Sequence, residues 1–348
     1  MFAWGAVVPF VRAQEHWPDL LLGAVFSGTP LGFGIGTIVG GRLADRLPPR
    51  RICWASLAAL AAGFAVAFAW PSGLTFVLAY AVLALGVGGG LALTGAVAAL
   101  GQVLPGRSGT VGGLASAVYA ASAVFQAPLL STLAPRLGWL RALEAVGVGM
   151  ALLAAALLLL MPALPVRPPA AAAAAGDGGP VLTPAVGAGA LLACCGATLG
   201  AFAFVNLPGE AAGAAVALAT GNACGRLLGG LGADRFGVSR VVAVVFGLGL
   251  VAGLALYLAG PAVALPAGLG AGLALGADAG VLNRVGADAA PGRPNAAFGT
   301  VFAGYTAGAF AGPLLGALTG PPLAWLTTAA PSAIGLAMLA GRRTSRGT

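Results

Sequence analysis

The sequence predicts an all-α membrane protein made of two pseudo-symmetric six-helix bundles, and three observations carry that expectation. Charge is scarce: the 348 residues are 59% hydrophobic and 7% charged, with a mean hydropathy of +0.98. A soluble domain carries roughly 25% charged residues, so these few charges cannot cover a soluble surface of this size. Apolar runs of about 20 residues recur along the chain, long enough for a hydrocarbon core of roughly 30 Å. Two short polar motifs occur once in each half of the chain. The 58 glycines fit close helix packing in a membrane. The alternating segments of a closed barrel, about 10 residues each, are absent from the sequence.

The spans follow in order. Helix 1 is expected over residues 1–11, helix 2 over 20–41, helix 3 over 52–70, helix 4 over 74–104, helix 5 over 109–134 and helix 6 over 142–161. These form an N-terminal bundle, residues 1–161. A cytoplasmic linker, 162–183, has Pro-rich ends and an alanine run from Ala170 to Ala175. A C-terminal bundle and tail, 184–348, holds helix 7 (184–206), helix 8 (211–232), helix 9 (241–259), helix 10 (261–283), helix 11 (296–318) and helix 12 (322–340). Helix 1 gives only about 16 Å of helix, roughly half a span, before a polar turn from Arg12 to Asp19. It reads as truncated, because the natural protein starts further upstream or this version is shortened; otherwise it is a short, re-entrant or tilted segment.

Charge sets the orientation. All 17 basic residues are Arg. One set of loops and the tail holds Arg42, Arg46, Arg50, Arg51, Arg107, Arg167, Arg235, Arg240, Arg284, Arg293, Arg342, Arg343 and Arg346. The other face holds Arg12, Arg136 and Arg141, and Arg226 lies inside a span. Positive loops stay cytoplasmic, so the C-terminus is expected inside, with the chain multi-pass in a cell membrane, the bacterial inner membrane. The basic balance is topological, so no nucleic-acid partner is expected, and the chain reads as monomeric.

Composition also excludes chemistry. Without Lys there is no Walker A loop and no Schiff base. A single His16, and four Cys (Cys53, Cys194, Cys195, Cys224) that read as small core residues, leave no metal cluster. No cofactor and no enzymatic centre are expected. The run Gly32-Phe33-Gly34-Ile35-Gly36 lacks a βα context and reads as helix packing.

The halves repeat. Gly41-Arg42-Leu43-Ala44-Asp45-Arg46 is followed by Arg51, ten residues after Gly41. Gly230-Leu231-Gly232-Ala233-Asp234-Arg235-Phe236-Gly237 is followed by Arg240, at the same offset. Pro105-Gly106-Arg107 precedes Tyr119 and Pro128-Leu129-Leu130; Pro291-Gly292-Arg293 precedes Tyr305 and Pro313-Leu314-Leu315. Such halves place a substrate site between them near the midplane.

The stretch Gly41 to Arg51 resembles the loop 2–3 hallmark of the major facilitator superfamily, G-x-x-x-D-R-x-G-x-x-R, with Pro48 and Pro49 replacing the usual Gly and basic residue. Phe2-Ala3-Trp4-Gly5-Ala6 with Pro9, Gly138-Trp139-Leu140-Arg141-Ala142, and Gly221-Asn222 leading to Gly225-Arg226 are similar to the monocarboxylate-porter and oxalate/formate-exchanger groups. The resemblance implies a major facilitator fold and alternating access. It implies a cytoplasmic latch from Gly41, Asp45, Arg46 and Arg51 and their repeats Gly230, Asp234, Arg235 and Arg240. On the residues alone, Asp45 and Arg46 read as a solvated turn. The resemblance also implies a carboxylate-binding role for Arg226, although the Lys those groups use has no counterpart here.

Inside the membrane two charges stand out, Arg226 and Asp278, and an intramembrane charge faces a cavity or a partner. Arg226 lies about 12 Å along its helix from Asp234; it either binds substrate or snorkels to the interface. Asp278 either takes up a coupling proton or pairs with an Arg. Arg226 is expected to exchange Asp278 for a substrate carboxylate, which would couple binding to protonation of Asp278. Asn222, Tyr119, Tyr305 and Gln126 are candidate substrate-binding residues, with Asn283 a further cavity-lining candidate; each otherwise reads as helix packing. Glu144 and Glu210 read as solvated helix ends.

The leading expectation is a secondary active transporter of a small organic anion such as a monocarboxylate, with the lipid bilayer and a small-molecule substrate as partners. The alternatives are an efflux pump for amphipathic compounds, which a largely apolar cavity would favour, and a non-transporting membrane scaffold or receptor.

Overall fold

The computed structural model describes residues 4, 6–165, 183–206 and 212–311. Every regular element among them is helical. In chain order these are α1 (Val8–Glu15), α2 (Asp19–Ala44), α3 (Pro49–Ala69), α4 (Gly73–Val103), α5 (Ser108–Leu137) and α6 (Trp139–Leu160), then α7 (Pro184–Asn206), α8 (Ala212–Phe236), α9 (Val238–Ala259), α10 (Ala264–Ala289) and α11 (294–311). Six described segments are long and apolar enough to cross a membrane: Leu20–Ala44, Pro49–Ala69, Gly73–Val103, Trp139–Leu160, Val238–Ala259 and Ala264–Ala289. Glu210, helix 12, the tail and most of the expected linker lie outside the described residues.

Several expected boundaries move. α1 runs to Glu15, so Arg12 to Glu15 are helical instead of a turn. Arg, Ala, Gln and Glu all propagate helix well, and the stop comes from His16, which is left-handed at φ 54°. α2 continues through Gly41 and Arg42 to Ala44. Pro48 caps α3 and Pro49 occupies its first turn, where a missing N–H costs nothing and the fixed φ is already helical. The two prolines that depart from the family pattern thus start a helix. α8 extends to Phe236 and α9 begins at Val238, so the second motif lies in the last turns of one helix and the first of the next. Gly237 makes the turn between them at φ +85°.

The chain divides into two compact units. The first comprises residues 1–99 and 121–168. Here α2 packs on α4 through glycine: a Cβ on Gly90 would lie 2.6 Å from the Phe33 carbonyl oxygen, and one on Gly86 would lie 2.7 Å from Gly32 Cα. Gly32 and Gly36, in the glycine-rich run of α2, meet the α4 backbone at Val82 and Val87. From Phe76 to Gly88, α4 takes the wider π winding, for which the glycines of α2 and α3 leave room. An aromatic cluster closes one end. Phe76 lies 5.1 Å from Trp139 and 5.3 Å from Tyr80 between ring centroids, and Trp17 lies 5.6 Å from Phe76. The buried indole N–H of Trp4 donates to the Leu22 carbonyl, and that of Trp139 to Glu15 Oε1.

The second unit comprises residues 100–120 and 169–348. Its densest contact joins α8 to α10. Gly221, Gly225 and Gly229 of α8 alternate with Gly272, Gly276 and Gly280 of α10. A Cβ on Gly229 would fall 2.6 Å from Ala277 Cα, and one on Gly276 would fall 2.9 Å from the Arg226 nitrogen. In lipid, where no hydrophobic drive joins helices, such close backbone packing supplies the association. The first turns of α5 belong to this unit and meet α8 in the same way: a Cβ on Gly113 would be 2.6 Å from the Arg226 carbonyl oxygen and 3.0 Å from Gly230 Cα.

Candidate functional site

Two sets of polar residues are assembled inside the second unit. The first surrounds Arg226. Its Nε donates to Asn222 Oδ1 at 3.0 Å, one helical turn earlier, and Nη2 donates to the Tyr305 hydroxyl on α11 at 3.4 Å. The guanidinium carbon also stands 5.9 Å from the Tyr305 ring centroid, within the range of a cation–π contact. Arg226 is only 4% exposed. A snorkelling Arg keeps its head in water or at the interface; this one is held inward by its own helix and by α11.

Asp278 on α10 is 2% exposed, and its Oδ2 has no hydrogen-bond partner among the described residues. It lies within electrostatic reach of Arg226, Tyr305 and Cys195. Helix geometry explains why it stands off from Arg226. Gly276 and Gly280 both touch the Arg226 backbone, so they form the α8 face of α10. Asp278, two residues from each and about 200° around the helix, lies on the opposite face. Tyr119, half-buried on α5, is reached by the fields of Arg226 and Tyr305. Five of the expected residues are thus brought together: Arg226, Asn222, Tyr305, Tyr119 and Asp278. Gln126 is half-buried and belongs to the first unit.

Further residues of this region have partners of their own. Of the two readings open for Asn283, helix packing is the one its bond fits: Nδ2 donates to the Ser108 carbonyl at 2.6 Å, at the start of α5. Arg284 pairs with Asp288, at 2.9 Å, and with Asp234, at 3.6 Å, and among the described residues Arg226 is the Arg whose charge reaches Asp278. Cys195 was read as a small core residue from the sequence; it is half-buried, and Cys224 is exposed.

The second set is centred on Asp234. Oδ1 accepts the Gly109 N–H at 2.9 Å, and Oδ2 accepts both the Thr110 N–H and the Thr110 hydroxyl, each at 2.7 Å. A carboxylate from the end of α8 therefore caps the N-terminus of α5, satisfying orphan N–H groups and opposing the positive end of the helix dipole. Arg235 lies exposed with its guanidinium 5.4 Å from the Phe236 ring, and Arg240 is also exposed. In the first motif Gly41 is buried, Asp45 is half-buried at the α2 end, and Arg46 and Arg51 are exposed. Thr110, Gly109 and Arg284 as partners of Asp234 escaped the sequence reading. The spacing of Arg284 and Asp288, four residues apart on a helix, was the one available signal.

Residues 1–208 match the family model of the Major Facilitator Superfamily. No curated protein matches the sequence. Among solved structures, a Major Facilitator Superfamily transporter, FucP, in the outward conformation is 16% identical with a TM-score of 0.69, over 98% of this chain and 96% of that one. A variant of the E. coli fucose:proton symporter FucP is 17% identical with a TM-score of 0.65, over 98% and 96%. The proton:xylose symporter XylE is 15% identical with a TM-score of 0.70, over 97% and 90%. At this identity the likeness concerns the fold.

Proposed function

Given that the chain belongs to the major facilitator superfamily, and so is a multi-pass membrane transporter and not an enzyme, we propose that it moves a small organic anion by alternating access. The observation that carries this reading is the buried Arg226. A guanidinium presents five N–H donors in a rigid fork suited to a carboxylate. Among the described residues Asn222 and Tyr305 each take one of them, which orients the fork and leaves donors for a ligand. Burying a cation in a membrane helix is expensive, and an anionic substrate offsets that cost. A largely apolar cavity would favour amphipath efflux, whereas an Arg-centred one favours an anion. Tyr119 and Tyr305 supply further hydroxyls, and Asp278 is the second buried charge that the transport cycle must balance.

The Asp234 cap serves as the latch in this proposal. It ties α5 to α8 with Arg284 alongside, and its release frees the two helices to separate. Asp45, Arg46 and Arg51 around Gly41 are the corresponding group of the first half, with Gly230, Arg235 and Arg240 completing the second. The motif-bearing side faces the cytoplasm of a cell membrane, following the Arg distribution, and the monomer is the working unit.

Uptake into proteoliposomes, run against a panel of carboxylates with and without a pH gradient, tests the reading. Arg226→Ala should abolish uptake while still inserting, and Arg226→Lys should impair it because the fork is lost. Wild-type anion uptake by Arg226→Ala would end the proposal.

A further inference from the structure

The second buried charge bears on what the substrate is. Arg226 and Asp278 are 4% and 2% exposed and within electrostatic reach of each other, yet they are not closed into an ion pair. The Arg226 bonds go to Asn222 and Tyr305, while Asp278 projects from the α10 face opposite the α8 seam and keeps Oδ2 without a partner among the described residues. The Tyr305 phenol bonds the first and lies in the field of the second. Two opposite buried charges whose sole role was mutual neutralisation would gain most from a short bidentate pair. Here they are held apart, and each offers unused hydrogen-bonding capacity.

We propose that the substrate is a zwitterion, an amino-carboxylate whose carboxylate docks on Arg226 and whose ammonium docks on Asp278; this rests on the anion-binding reading of Arg226. The charge balance favours it. A cluster holding one guanidinium and one carboxylate is neutral. A plain monocarboxylate would bring its negative charge beside Asp278 and leave a net buried charge unless Asp278 took up a proton. A zwitterion leaves the cluster neutral and gives each buried ion its complement, including an N–H donor for Oδ2. The three donors of an ammonium also allow it to share the Tyr305 hydroxyl.

Matched ligand pairs test this with the full-length protein in detergent and in proteoliposomes. The pairs are L-alanine with propionate, L-phenylalanine with 3-phenylpropionate, and γ-aminobutyrate with butyrate, read by thermal shift and by uptake. At least one amino acid should bind at least about tenfold better than its des-amino partner, as expected for a desolvated charge pair. Asp278→Asn should erase that preference, by weakening the amino acid and strengthening the des-amino acid, whose carboxylate no longer meets the Asp278 charge. Retained des-amino binding also certifies that the variant is folded. Equal or better binding of every des-amino acid by the wild type overturns the zwitterion and leaves the anion reading standing. So does an amino-acid preference that survives Asp278→Asn. If Arg226→Ala binds both members of a pair like the wild type, the anion reading fails and the zwitterion with it.

Discussion

Replacing Asp234 by Ala removes three acceptor contacts at once: those to the Gly109 N–H, the Thr110 N–H and the Thr110 hydroxyl. Loss of an N-cap costs roughly 0.5–2 kcal/mol, and a hydrogen bond to a charged group contributes about 1.5–3 kcal/mol. The contacts are not additive, and the Asp234 side chain is 15% exposed, so water can reach part of the vacated site. The Arg284 contact, at 3.6 Å with Arg284 34% exposed, adds little, as surface pairs do. The net loss from the α5–α8 contact is then about 2–3 kcal/mol, which shifts an equilibrium between joined and separated helices by about 30- to 150-fold. Asp234→Asn keeps one acceptor oxygen without the charge and should fall between. Arg107 and Arg235 are exposed on the two helix ends, so spin labels there, in a background lacking the four cysteines, report the separation. The parent should give a short distance, and Asp234→Ala should add a longer population. An unchanged distance distribution in a folded Asp234→Ala protein would refute the capping argument.

Other perturbations follow from the same contacts. Asn222→Ala removes the acceptor of Arg226 Nε; anion binding should weaken several-fold in a titration, with Asn222→Asp restoring Arg226 orientation but repelling the anion. Gly276→Ala places a methyl on the Asn222 and Arg226 backbone, where overpacking costs about 1–3 kcal/mol, so the melting temperature in detergent should drop. Gly149→Ala meets no atom within 4 Å and should melt like the parent. Tyr305→Phe keeps the ring and removes the hydroxyl that receives Arg226 Nη2; substrate affinity should fall while the melting temperature changes little.

The helices were legible because their signals are local. Apolar run length locates the membrane spans, and the duplicated motifs pair the halves. Boundaries shifted where polar residues are also good helix formers, as at Arg12 to Glu15, or where prolines initiate a helix, as at Pro48 and Pro49. The π winding of α4 has no mark in its own sequence, because it depends on room made by glycines in α2 and α3. Arg226 and Asp278 were visible as charges in apolar runs, and Asn222 as a polar cavity candidate, without its bond to Arg226. The Asp234 contacts were not legible: Gly109 and Thr110 lie 125 and 124 residues away, and no local pattern marks a backbone N–H as the partner of a distant carboxylate. The partner of Asn283 was hidden for the same reason: its acceptor is the Ser108 carbonyl, 175 residues distant.

One helix carries both polar sets, and its packing bears on how binding at the proposed site reaches the proposed latch. Arg226 and Asp234 lie eight residues apart on α8, about 12 Å along a rigid rod. Between them, Gly229 and Gly230 present opposite neighbours: Gly229 meets Ala277 of α10, and Gly230 meets Gly109 and Gly113 of α5. Gly113 also abuts the carbonyl of Arg226. Because backbone meets backbone at these glycines, a shift of α8 against either neighbour changes contacts at the Arg226 level and at the Asp234 level together. A ligand that draws Arg226 toward Tyr305 therefore loads the same contact that Asp234 caps. The coupling needs no separate relay, because the α5 and α10 contacts share the backbone of one helix.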